Sequence, residues 1–173
     1  MKIKFLIVFL VINLVSVNFS LGIMKNSGYL EKLKREFLIS NSQIPENIIF
    51  VVRNQYKQDH HNTATIFQTG EVNTQSFEAG ASLKILNVKT GKTSSLLETK
   101  TGVIRDPEVS FGGKKIIFSY RKNIDDNYHI YEIGSDGKNL KQLTFALGIS
   151  DIDPLYLPNN QIIFSSTREP KYC

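Results

Sequence analysis

An all-β fold of stacked four-stranded units, part of a β-propeller, follows from three observations. First, the stretch Asp106-Pro107-Glu108-Val109-Ser110-Phe111-Gly112-Gly113-Lys114-Lys115-Ile116-Ile117-Phe118-Ser119-Tyr120-Arg121 nearly recurs as Asp153-Pro154-Leu155-Tyr156-Leu157-Pro158-Asn159-Asn160-Gln161-Ile162-Ile163-Phe164-Ser165-Ser166-Thr167-Arg168. Second, Ile-Ile-Phe occurs at 48–50, 116–118 and 162–164, and the last two lie 46 residues apart. That period falls within the roughly 40–50 residues of a four-stranded propeller repeat. Third, glycine-bearing turns separate β-branched runs of strand length.

The elements follow in chain order. Residues 1–22 carry Lys2 and Lys4, then an apolar run from Phe5 to Val17, then the small residues Ser20 and Gly22. This is the pattern of a secretory signal peptide, too short and wrongly flanked for a membrane span. The expectation is a periplasmic or secreted protein with no integral membrane span after cleavage; an uncleaved anchor is the alternative. Residues 23–44 hold a short amphipathic helix, in which Leu30, Leu33, Phe37 and Leu38 fall at helical spacing among charged residues of both signs.

From Pro45 to Cys173 the pattern is β. Ile48–Val52 reads as one strand, and Ser82–Val88 and Thr93–Leu97 as a hairpin closed by Lys89-Thr90-Gly91-Lys92. Lys115–Tyr120 and Tyr128–Ile133 are two further strands, followed by the turn Gly134-Ser135-Asp136-Gly137 and a closing strand at Leu140–Leu143. Gly112-Gly113 makes a hairpin turn rather than a phosphate loop, since no helix follows it. A third unit opens at Ile152. The first Ile-Ile-Phe spacing is 68 rather than 46 residues, which places an insertion at 54–80, between the second and third strands of the first unit. Insertions of this kind are commonly functional or disordered.

About two and a half blades cannot close a ring. Each blade buries its faces on its neighbours, so the remaining blades are expected on the same longer chain or on another subunit.

The net charge is +5, of which Lys2 and Lys4 supply two, and the other charges are mixed in sign. This excludes a nucleic-acid footprint. A single cysteine, Cys173, excludes an internal disulfide framework.

Among residues able to carry chemistry, Asp59-His60-His61 in the insertion combines imidazole and carboxylate groups suited to Zn, Fe or Cu. On a regular strand the adjacent histidines would face opposite sides, so the alternative is a hydrogen-bonded loop capping one end of the propeller. Asp151 and Asp153 flank one residue and would share a strand face, and Asp106 and Glu108 repeat that spacing. Such pairs offer oxygen ligands to Ca²⁺; alternatively, an Asp before Pro caps a turn. Arg53, Arg121 and Arg168 each close the second strand of a unit, to form a basic ring or to pair with the repeated aspartates. Glu71 and Glu78 could serve acid–base roles, but nothing specifies a substrate. Ser119, Ser165 and Ser166 lack a nucleophile elbow.

The pattern Asp-Pro-x-x-Ser-x-x-Gly-x-x-Ile-x-Phe, followed by Tyr128-x-Ile130-Tyr131-x-Ile133-x-x-Asp136-Gly137-x-x-Leu140-x-x-Leu143-Thr144, resembles the TolB-like repeat of six-bladed propellers over about residues 103–168. The blocks Asp59–Thr65, Phe67–Glu71, Arg105–Glu108, Ser150–Pro154 and Ser166–Cys173 resemble exported bacterial proteins that share the middle domain of the hydrazine synthase alpha subunit. Members of that family are longer, so the resemblance implies an N-terminal fragment. It also implies that Cys173 joins Asp59 and one of the histidines at a zinc or haem-proximal site. No Cys-x-x-Cys-His haem attachment motif is present, and fold alone does not confer an activity.

Three functions are compatible with the sequence: a non-catalytic exported scaffold or binding module, the metal- or haem-associated part of a periplasmic redox enzyme, and a Ca²⁺-stabilised propeller of a periplasmic hydrolase or lyase.

Overall fold

A computed structural model describes residues 27–40, 45–54 and 77–168. The chain divides into two compact units, Met1–Ile44 and Pro45–Cys173. In the first unit, helix α1 spans Ser27–Ser40, within the segment where the helix is expected. Lys32 and Glu36 face each other at 3.8 Å one turn apart on its exposed surface. An exposed pair of this kind contributes only a few tenths of a kcal/mol, about 0.3–0.5. Among the described residues no helix is long and apolar enough to cross a membrane. The expected signal peptide lies outside the described residues.

The second unit is built from antiparallel strands: β1 (Asn47–Arg53), β2 (Ala81–Asn87), β3 (Thr93–Thr99), β4 (Val103–Val109), β5 (Lys115–Arg121), β6 (His129–Gly134), β7 (Lys141–Gln142), β8 (Asp151–Tyr156) and β9 (Ile162–Ser166). They form three sheets in sequence order, β1-β2-β3, β4-β5-β6-β7 and β8-β9. The glycine turns behave as read from the sequence. Gly91 N–H donates to Asn87 O (2.8 Å), Gly113 N–H to Ser110 O (2.8 Å) and Gly137 N–H to Gly134 O (2.9 Å), each glycine with φ near +70 to +80°. Only glycine adopts that conformation without strain.

The closing strand β7 is shorter than Leu140–Leu143. Leu143 N–H still donates to Ile130 O (2.8 Å), and side chains complete the edge: Ile130 N–H donates to Thr144 Oγ1 (3.0 Å) and the Tyr131 hydroxyl to Gln142 Oε1 (2.6 Å).

The second sheet is sandwiched between the other two, and strand parity decides what each face meets. Cross-strand pairing puts Ile116, Phe118, Tyr131 and Ile133 on one face, because Ile116 opposes Ile133 and Phe118 opposes Tyr131. These residues pack against Ala81, Leu83, Ile49 and Val51 of the first sheet, with Ile104 of β4 between. This is the apolar core. On the opposite face, Ile117 opposes Glu132, and both look toward β8.

Comparing the Ile-Ile-Phe runs makes β1 the counterpart of β5, a second strand. Among the described residues, the edge of β1 away from β2 has no strand paired to it. The insertion leaves after Asn54 and returns at Gly80, and the two ends are tied: Asn54 N–H donates to Gly80 O (3.3 Å) and Asn54 Nδ2 to Ala79 O (2.6 Å). Gly80 N–H in turn donates to Gly102 O (3.0 Å). Gly102 also lets the end of β5 pass close by, since a Cβ there would lie 2.5 Å from Arg121 O.

Candidate functional site

The densest polar constellation is a seam between the second and third sheets, and it begins with the two Asp-Pro dipeptides. Asp106 has φ 51° and Asp153 φ 56°, both left-handed. Aspartate tolerates this conformation better than most residues. At each one the antiparallel register slips, between Arg105 and Glu108 and between Ile152 and Leu155. These are β-bulges, where the proline that follows forfeits no ladder hydrogen bond.

The bulges change which side chains share surroundings. With regular alternation Asp151 and Asp153 would lie on one face. The left-handed residue breaks the alternation, so Asp151 is fully buried while Asp153 is exposed.

The two bulges are joined through one serine. Asp106 Oδ2 accepts from Arg105 Nε (2.7 Å) and from the Ser119 hydroxyl (3.1 Å). Ser119 Oγ then accepts from the backbone N–H of Asp153 (3.0 Å). Ser119 is fully buried. A hydroxyl has one proton and two lone pairs, so it can donate to one sheet and accept from the next at once.

A second clasp lies farther along the same face. Glu132 accepts from Lys115 Nζ at Oε1 (2.9 Å) and from the Tyr156 hydroxyl of β8 at Oε2 (2.8 Å). Burial opposes ionisation of Glu132, but the Lys115 and Tyr156 hydrogen bonds outweigh it and hold the carboxyl below its ordinary range. Burial, then the Glu132 bond, raises the Tyr156 phenol above its ordinary value.

These directions set a pH window. The lowered Glu132 contributes stability above its unfolded pKa of about 4.3, lost as pH falls through the lower folded value. The raised Tyr156 contributes below its unfolded value of about 10, lost as pH rises through the folded one. Chemical denaturation from pH 3 to 11 should therefore show stability falling on both sides of a neutral plateau. Tyr156→Phe should lower the plateau by about 1.5–3 kcal/mol, as for a hydrogen bond to a charged group, and should flatten the alkaline fall. An unchanged plateau would mean the clasp does not couple the sheets.

Asp151 forms a third contact of the seam. Its fully buried carboxylate accepts two bonds from Arg168, Nη1 to Oδ1 (2.7 Å) and Nη2 to Oδ2 (2.9 Å). Its N–H donates to the O of Tyr128, the residue just before β6 (2.8 Å).

Arg121 differs from Arg168. It is almost wholly buried, donates Nε to Asn123 O (3.2 Å) and Nη2 to Ile124 O, and lies over the Phe77 ring at 4.5 Å. It holds the β5–β6 loop and reaches the end of the insertion. Asp126 caps the same loop, accepting from Asn127 N–H (2.9 Å) and Lys122 N–H (3.5 Å). His129 Nε2 lies 3.6 Å from Asp126 Oδ1, and its buried Nδ1 has no hydrogen-bond partner.

Asp59, His60, His61, Glu71 and Cys173 lie outside the described residues. Among those described, no three His, Cys, Asp or Glu side chains gather as a metal site requires. Of the four candidate carboxylates, Asp106 bonds Arg105 and Ser119, Asp151 bonds Arg168, Asp153 is exposed, and Glu108 is half-buried. Ser119, Glu132, Tyr156 and Arg105 were not distinguished by sequence as members of one seam. The one available signal was Ser119 recurring as Ser165 at the repeat period.

No protein-family model matches the chain, and no curated protein matches it. Among solved structures, hydrazine synthase from Kuenenia stuttgartiensis is similar over 73% of this chain, at 18% identity and a TM-score of 0.45. The matched region spans 18% of that chain.

Proposed function

We propose that this chain supplies successive blades of an exported, TolB-like β-propeller scaffold, a binding module rather than a catalyst by itself. The observation that carries the reading is face-to-face stacking of sheets built on the same repeat, with β8 clasped to the second sheet through Ser119 and Glu132. Export rests on the pattern of residues 1–22. Two buried polar contacts of the seam serve sheet-to-sheet attachment, a serine bridging two bulges and a tyrosine on a carboxylate, while the arginine on Asp151 fastens the two strands of the third sheet.

Hydrogen exchange and metal analysis on the chain from residue 23 onward test this reading. Stacking makes the amides of β5 and β6 the slowest to exchange, since that sheet is covered on both faces, while β9 exchanges faster. Equal exchange in β5 and β9 would mean that the sheets are independent hairpins. After dialysis against chelator the scaffold should retain no stoichiometric zinc, iron or calcium, and its unfolding midpoint should not move. One retained equivalent, lost on Asp59→Ala with His61→Ala, would replace the scaffold reading with a metal centre.

A further inference from the structure

The seam between the second and third sheets has an unused counterpart one repeat later. In the second sheet the face toward β8 is made by Ile117, Ser119 and Glu132, and Ile117 and Ser119 are both fully buried there. Advancing by 46 residues turns Ile117 into Ile163 and Ser119 into Ser165. Ile163 is 49% exposed, and Leu155, its cross-strand partner, is 44% exposed. Ser165 and Asp153 are exposed too. The third sheet therefore presents the aliphatic and hydroxyl groups that the second sheet uses to hold β8, with nothing described against them.

The first sheet shows that this equipment is not automatic. Its residue at the Ser119 position is Val51, which packs into the apolar core, and no hydroxyl bridges the first and second sheets there. At this position of the repeat, serine thus occurs in the second and third sheets and not in the first.

We propose that the outer face of the third sheet docks a further β-sheet of this same repeat. The inner strand of that sheet carries a left-handed residue before proline, and its backbone N–H donates to Ser165 Oγ. Ser165 in turn donates to the Asp153 carboxylate, as Ser119 does to Asp106. Apolar side chains of the incoming strand cover Ile163 and Leu155. A second copy of the chain does not supply this strand from its described sheets, because β4 and β8 already lie against sheets of their own chain.

The inference rests on the stacked-blade reading above, and one experiment separates the two. A second copy of residues 123–168 is fused directly after Arg168, so that the third sheet is completed and a second Asp-Pro strand follows. Ser119→Ala in the parent chain is expected to raise the unfolding equilibrium constant roughly thirtyfold, as loss of two hydrogen bonds of about 1 kcal/mol each does. Ser165→Ala is expected to leave the parent chain unchanged and to cause the same roughly thirtyfold loss in the extended chain. The extended chain should also be more stable than the parent. If Ser119→Ala is silent, the stacking reading fails. If Ser119→Ala acts as expected but Ser165→Ala is silent in the extended chain, or that chain is less stable than the parent, only the docking proposal is overturned.

Discussion

Phe118→Ala is expected to destabilise the protein by about 3–5 kcal/mol, the range for truncating a fully buried phenylalanine. Phe118 has no exposed surface and lies in the core between the first and second sheets, its ring 6.1 Å from that of Tyr131 and 6.4 Å from that of Tyr120. The sheets are held by strands on either side and cannot collapse fully into the space, so a cavity remains. The aromatic contacts are lost as well, worth about 0.5–1.5 kcal/mol beyond area. Single domains are stable by only about 5–15 kcal/mol, so this variant should be close to unfolded at 25 °C. Urea denaturation followed by far-UV circular dichroism measures it. The equivalent Phe164 is 36% exposed, and Phe164→Ala should cost less than half as much. Equal losses at the two positions would show that the second sheet is not the central one.

Arg168→Ala is expected to cost about 3 kcal/mol for a different reason. Asp151 is fully buried, and its carboxylate takes both strong bonds from this guanidinium. Removing one member of a buried pair strands a charge, a loss of about 3–5 kcal/mol. The lower end applies because the Arg168 side chain is 42% exposed, so its departure admits water. Replacing both partners by apolar residues, Asp151→Leu with Arg168→Met, removes the charge together with its partner, and such replacements are often neutral. The double variant should therefore recover most of the loss, as read from urea midpoints at pH 7. A double variant as unstable as the single one would mean that the pair orients the strand rather than merely neutralising a charge.

The parts of the fold legible in the sequence were those written in local chemistry. Gly91, Gly113 and Gly137 marked turns because the backbone there needs positive φ, and the Ile-Ile-Phe runs marked the second strands of three units. The seam was less legible for physical reasons. Asp153 adopts a left-handed conformation, and this breaks the alternation on which pairing Asp151 with Asp153 depended. Glu132 and Tyr156 are 24 residues apart and meet only when the sheets stack. Pairing with a repeated aspartate was one of two arrangements open for the arginines; Arg168 takes it, while Arg121, three rather than four residues beyond its Ile-Ile-Phe run, donates to the carbonyls of Asn123 and Ile124. Serine at the centre of a strand carries no signal of its own. Its meaning came from the depth at which the fold buries Ser119.

The tied ends of the 54–80 segment have a practical consequence. Asn54 and Gly80 are fastened to each other, and Gly80 is fastened to Gly102, before the intervening residues begin. Lengthening a segment between ends fixed in this way is opposed chiefly by loop-closure entropy, about 0.6 kcal/mol for each doubling of its length. This is therefore the position at which a fluorescent reporter, an affinity tag or a whole foreign domain can be grafted with least disturbance to the sheets.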